Sequence, residues 1–145
     1  MKYNTRLGEI EINENEIITF EKGIPGFEHL RKFSVISLKD TLPILWLVSL
    51  EDENISLPII DPWIVDKNYE IEISNEDIKE LEIEDKEKVA VWAVLTIPSG
   101  HPEETTVNLR APIVINMEKG KGKQIILDTE KYKIKHKLSE FSFQE

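Results

Sequence analysis

Carboxylates and histidines are the chemically capable side chains this sequence offers in quantity, with 28 Asp and Glu, three His and no cysteine. A metal site needs ligands that converge, most legibly at short helical or strand spacings. His29, His101 and His136 fall in separate segments, with no second ligand at i+2, i+3 or i+4. "LEDEN" (Leu50 to Asn54) begins like a calcium loop, but the later ligand spacing and the closing bidentate glutamate do not follow, so it reads as a polar turn. "GKGK" (Gly120 to Lys123) lacks the frame and following helix that cradle phosphate, and reads as a hairpin tip. No local frame such as Gly-x-Ser-x-Gly activates a nucleophile. Carboxylates are so frequent that two lying close in sequence do not identify an acid-base pair. The sequence therefore points away from an enzyme and toward binding, with no cofactor and no metal.

The net charge of −10 is unevenly placed. Between Glu70 and Lys88, nine acids (Glu70, Glu72, Glu76, Asp77, Glu80, Glu82, Glu84, Asp85, Glu87) face three lysines; between Lys119 and Lys137, seven lysines and His136 face Asp128 and Glu130. An acidic body repels phosphate backbones and steers basic partners inward, so direct nucleic-acid binding is not expected. The plainer reading is that these charges keep a β-rich chain soluble and monomeric. No run approaches the roughly 18 to 20 apolar residues that span a bilayer, and "MKYNTRLGEIEI" lacks a signal peptide's apolar core. With cysteine absent, a cytoplasmic protein is expected.

Elements of the right period must position any binding surface. Period-2 alternation marks strands at "GEIEI" (Gly8 to Ile12), "EIITF" (Glu16 to Phe20), "FSVISL" (Phe33 to Leu38), "YEIEIS" (Tyr69 to Ser74) and "YKIKHKL" (Tyr132 to Leu138). Two denser runs, "PILWLVSL" (Pro43 to Leu50) and "VAVWAVLTI" (Val89 to Ile97), read as central strands buried on both faces. "PIVINM" (Pro112 to Met117) and "KQIILD" (Lys123 to Asp128) add two more around a Gly-containing hairpin. "SNEDIKEL" (Ser74 to Leu81) predicts one short helix, with an N-cap and acids in its first turn. "SEFSFQE" (Ser139 to Glu145) is expected to fray or to form a short edge. About ten strands at short spacings give an all-β, mainly antiparallel fold: a compact β-barrel-like single domain over 1–145.

In "GIPGF", Pro25 presets φ at about −65° for the second turn position, and Gly26 accepts the positive φ that a type II turn requires at the third. Phe20 and Phe27 then fold toward one apolar layer.

Five stretches occur in a recognisable order: "ITFEKGIPGFE", "DPW" (Asp61 to Trp63), "VAVWAVLTI", "TVNLRAPIVIN" (Thr106 to Asn116) and "GKGKQIIL" (Gly120 to Leu127). Together they resemble the FliW family of flagellar assembly factors from about Tyr3 to Leu138. Pro58 departs from the pattern, since it has no N–H to give a ladder, and places an edge or bulge there. The resemblance implies a non-enzymatic cytosolic regulator with two competing partners: flagellin, held before export, and the RNA-binding translational repressor CsrA. An RNA-binding partner must be basic, so Glu70, Glu72, Glu76, Asp77 and Glu80 are the expected surface for CsrA. An amphipathic flagellin helix would need apolar anchors, for which Phe27, Trp63 and the loop from Ile97 to His101 are candidates. Asn108 is expected to hold the corner before Pro112 by side-chain to backbone bonding, and to face a partner only second. The alternative is a small β-barrel binding an apolar small-molecule ligand in its interior. An oligonucleotide-binding barrel would need basic residues interleaved with exposed aromatics, which the acidic body does not supply.

Overall fold

The computed structural model describes residues 1–138. Its strands are β1 (Lys2–Thr5), β2 (Gly8–Glu11), β3 (Ile18–Thr19), β4 (Lys32–Ile36), β5 (Leu45–Ser49), β6 (Ser56–Ile60), β7 (Val89–Thr96), β8 (Thr106–Asn116), β9 (Lys121–Gln124) and β10 (His136–Lys137). Strands β3 to β9 close into a seven-stranded barrel in the order β8-β7-β6-β5-β4-β3-β9, with β9 returning to pair with β8. Every pairing is antiparallel except the closing contact, where Thr19 of β3 meets Lys121 of β9 in parallel. Strand β10 adds to the start of β8, opposite Val107 and Thr106.

The two dense apolar runs are dense because each strand packs against a core on both faces. In β5, Leu45 and Leu47 point into the barrel interior. Trp46 and Val48 point outward, under the separate β1–β2 hairpin with its Tyr3, Leu7 and Ile10. In β7, Ala90, Trp92 and Val94 belong to the interior. Val89, Val91, Ala93 and Leu95 belong to an outer cluster, which the chain from Val65 to Ile83 and from Ile125 to Tyr132 covers. Phe20, Phe33, Leu47, Ile59, Ile113 and Ile115 fill the interior, each fully buried. The Phe20 and Phe33 rings meet edge to face at 5.3 Å between centroids.

Turn chemistry follows the sequence. The Phe27 N–H donates to the Ile24 carbonyl at 2.6 Å across the turn, and Gly26 has φ +91°. Gly23 also has positive φ, and a Cβ there would stand 2.5 Å from Glu28 Cα, so no side chain fits. Asn108 caps a wide irregularity in β8, where that strand runs from Asn108 to Ile113 while β7 advances only from Trp92 to Val94. Its Oδ1 accepts the N–H groups of Arg110 and Ala111 at 3.1 and 2.9 Å. Pro58 pairs with Trp46 on the β5 side, and the β6–β7 ladder reaches only Ile59 and Ile60, so the proline lies on a locally open edge.

Several elements differ from the sequence reading. The described residues form two α-helices where one was expected: α1 (Pro62–Val65), started by Asp61, whose Oδ1 accepts the Trp63 N–H, and α2 (Asn75–Glu80), capped by Ser74. Asp-Pro at the cap and first position is a helix start, and the proline needs no hydrogen bond there. "YEIEIS" forms no ladder among the described residues, although Tyr69, Ile71 and Ile73 pack inward while Glu70 and Glu72 stay exposed. "EIITF" contributes only Ile18–Thr19, because Glu14–Glu16 coil into a 3-10 turn. "YKIKHKL" shrinks to His136–Lys137. "KQIILD" starts earlier and ends at Gln124. "GKGK" is mostly strand β9 and not a hairpin tip: only Gly120, at φ +64°, belongs to the turn. The expectation for Ser139 to Glu145 lies outside the described residues.

Candidate functional site

An open groove runs between the extended stretch from Tyr69 to Ser74 on one wall and the stretch from Ile125 to Tyr132 on the other, with Trp63 at its end. Three packed aromatic rings line it. The Trp63 and Tyr69 rings meet edge-on at 5.6 Å, and Tyr69 and Tyr132 are tilted at 4.7 Å. Polar tips fix each ring. The Trp63 indole N–H donates to the Tyr69 carbonyl at 2.9 Å, the Tyr69 O–H donates to the Leu109 carbonyl at 2.7 Å, and the Tyr132 hydroxyl oxygen accepts the Glu70 N–H at 2.8 Å. Burial, followed by the adjacent Tyr132, pushes the Tyr69 phenol well above its ordinary range, so it stays a neutral donor.

The Ile125 to Leu127 wall continues β9 along β8 by one edge only. Ile125 N–H donates to Pro112 and Leu127 N–H to Arg110, at 2.9 and 2.8 Å. Neither partner can reciprocate, because Pro112 has no N–H and that of Arg110 is held by Asn108. Ile125 and Leu127 are buried, and Ile126 between them is 72 % exposed.

Beside the groove, the acidic and basic runs meet. Lys123 Nζ lies 2.6 Å from Asp77 and 2.5 Å from Glu80, and Lys22 reaches Glu80 at 2.8 Å. Lys121 pairs with Glu82 and, at 3.3 Å, with Glu21; Lys131 pairs with Glu70 at 3.4 Å. Hydrogen bonds from Lys123 and then Lys22 hold the Glu80 carboxyl below the ordinary carboxylate range. Burial pushes the Lys123 ammonium down, but its bonds to Asp77 and Glu80 outweigh this, and the net shift is upward. Asn116, nearly fully buried, pins the end of α2 by donating from Nδ2 to the carbonyls of Leu81 and Glu82 at 2.8 and 3.0 Å. These contacts tie α2 across the end of the barrel.

Of the residues singled out by sequence, Trp63, Glu70, Glu72 and Asp77 line the groove together. Glu80 faces the lysine cluster at the barrel end. Glu76 is exposed on α2. Phe27 packs half-buried against the interior, Ile97 follows β7 and is 39 % exposed, and Asn108 holds the β8 corner. None of these last three lines the groove. Sequence reasoning missed Ile126, Tyr132 and Asn116. "QIIL" did carry a signal, since three consecutive aliphatics beside one sheet edge cannot all face inward. Nothing local marks Tyr132 or Asn116, whose partners lie 62 and 35 residues away.

Residues 2–138 match the family described as "FliW protein". A protein of Thermosipho africanus (strain TCF52B), named flagellar assembly factor FliW, is 99 % identical over the whole of both chains. The protein of that name from Thermotoga maritima is 54 % identical, over 97 % of this chain and 94 % of its own, and that from Clostridium tetani is 46 % identical, over 95 % of each. A crystal structure of the flagellar assembly factor FliW superposes with TM-score 0.87 at 39 % identity, covering 95 % of this chain and 96 % of the other.

Proposed function

Because this chain belongs to the FliW family of flagellar assembly factors, we propose that it works without catalysis as a cytoplasmic partner switch: it holds flagellin before export and, once released, binds and antagonises CsrA. Flagellin synthesis is thereby coupled to flagellin export. The observation that carries the CsrA half is the acidic surface. The chain bears a net charge of −10, and Glu72, Glu76 and Glu84 are exposed with no ion-pair partner among the described residues. A basic RNA-binding protein is the complement of such a surface, which speeds encounter and orients docking. Among the described residues no helix is long and apolar enough to cross a membrane. Titration calorimetry of this protein into CsrA from the same genome tests the reading, with saturable heat expected at low salt and weakening as salt rises. Absence of heat and of a co-eluting complex at every salt concentration would remove the CsrA half.

The apolar-ligand alternative has little support in the barrel interior, which Phe20, Phe33, Leu47, Ile59, Ile113 and Ile115 occupy without exposure.

A further inference from the structure

The stretch "YEIEI" has the alternation of a strand, and its inward side chains pack as a strand's would, yet among the described residues it has no ladder partner. Across the groove, Ile125 to Asp128 is a strand continuation with one edge used. Among the described residues, the N–H groups of Ile71, Glu72 and Ile73 on one wall have no hydrogen-bond partner, and neither do those of Ile126 and Asp128 on the other. Ile126 must point its backbone groups away from β8, because Ile125 and Leu127 on either side point theirs toward it. Soluble proteins usually blunt such an edge with lysine, proline or a cover, and "IILD" contains neither lysine nor proline.

We propose that this groove is a strand-addition site, in which an extended segment of CsrA lies between Ile71–Ile73 and Ile126–Asp128 and pairs its backbone with both walls. This inference rests on the reading of CsrA as a partner. The occupant is specified by the walls. Glu70, Glu72, Asp77 and Asp128 line the groove against the single Lys131, and Lys131 is already paired with Glu70. A basic segment therefore fits, with Lys or Arg set beside Glu72 and Asp128. Apolar side chains at its alternate positions would rest on Trp63, Tyr132 and Ile126. Main-chain bonding supplies affinity in this mode, and the alternate side chains supply register.

The test is amide hydrogen exchange of the whole protein, alone at two concentrations, saturated with CsrA, and saturated with flagellin. Slowed exchange at Glu72, which shares the side of the Glu70 N–H that reaches Tyr132 on the facing wall, and at Ile126 and Asp128 is the expected result with CsrA. Ile126→Pro, which removes one donor at an exposed position, should weaken CsrA binding about tenfold, whereas Ile126→Ala, which keeps the N–H, should cost no more than about threefold. A CsrA complex whose protection falls elsewhere would overturn the strand-addition site while leaving CsrA a partner. Protection of these amides by flagellin alone, or by raising the concentration of the free protein, would overturn the choice of occupant. Failure of CsrA to bind at all would overturn the partner reading and this inference with it.

Discussion

Lys123 Nζ sits 2.6 Å from Asp77 Oδ1, joining the lysine-rich and acid-rich runs across 46 residues of chain and fastening α2 to β9. The same lysine reaches Glu80, so one cation serves two carboxylates. Replacing it with Met leaves Asp77 without its partner and Glu80 with Lys22 alone. These side chains are 14–25 % exposed, which places them between a surface pair and a buried one. Lys123→Met should lower stability by about 1–2 kcal/mol, read from the midpoint of urea unfolding. An unchanged midpoint would mean that the pair is only a surface decoration.

The acid limb of stability follows from Glu80. Lys123 first, and Lys22 second, hold its carboxyl below the ordinary value of 4.5, so the unfolded chain takes up that proton at higher pH than the native state does. The stability it contributes is complete above the unfolded value and is lost as pH falls through the folded one. Glu51 adds to this limb, because it accepts the N–H groups of Arg31 and Lys32 at 2.6 and 2.9 Å and is likewise lowered. Glu80→Gln should give a shallower fall in unfolding free energy between about pH 6 and pH 3.

Barrel closure depends on a missing side chain. A Cβ on Gly122 would stand 2.6 Å from Phe20 Cζ, and Phe20 is fully buried against Phe33. Gly122→Ala should destabilise by about 1–3 kcal/mol through overpacking. Combining it with Phe20→Leu should recover part of the loss, a coupling visible in a double-mutant cycle.

Much of this architecture was legible in the chain. Pro25 and Gly26 specified their turn by backbone preference alone, and alternation located β3 and β4 of the barrel. Density in "PILWLVSL" and "VAVWAVLTI" correctly signalled cores on both faces. What periodicity cannot encode is whether a strand-like segment finds a partner. Tyr69 to Ser74 alternates as well as any barrel strand, but it has no ladder among the described residues, where it contacts Trp63 and Tyr132. The acid run was legible as a surface, yet the structure spends Glu70, Asp77 and Glu80 on Lys131, Lys123 and Lys22. Glu72 and Glu76 keep no such partner among the described residues. Pairings over tens of residues carry no local mark.

That division sharpens the charge-reversal experiment. Glu72→Lys with Glu76→Lys alters exposed acids outside the ion-pair cluster, so thermal stability should hold while association with CsrA slows about tenfold and loses salt dependence. Reversal at Asp77 and Glu80 should instead lower stability, which circular dichroism melting would separate from a binding effect.

The partner switch itself is tested most directly by competition. A preformed complex of this protein with labelled CsrA is titrated with flagellin, and fluorescence anisotropy follows the label. The account predicts that flagellin returns the anisotropy to that of free CsrA, with saturation at one flagellin per molecule of this protein. A stable ternary complex, with anisotropy rising as flagellin is added, would contradict it.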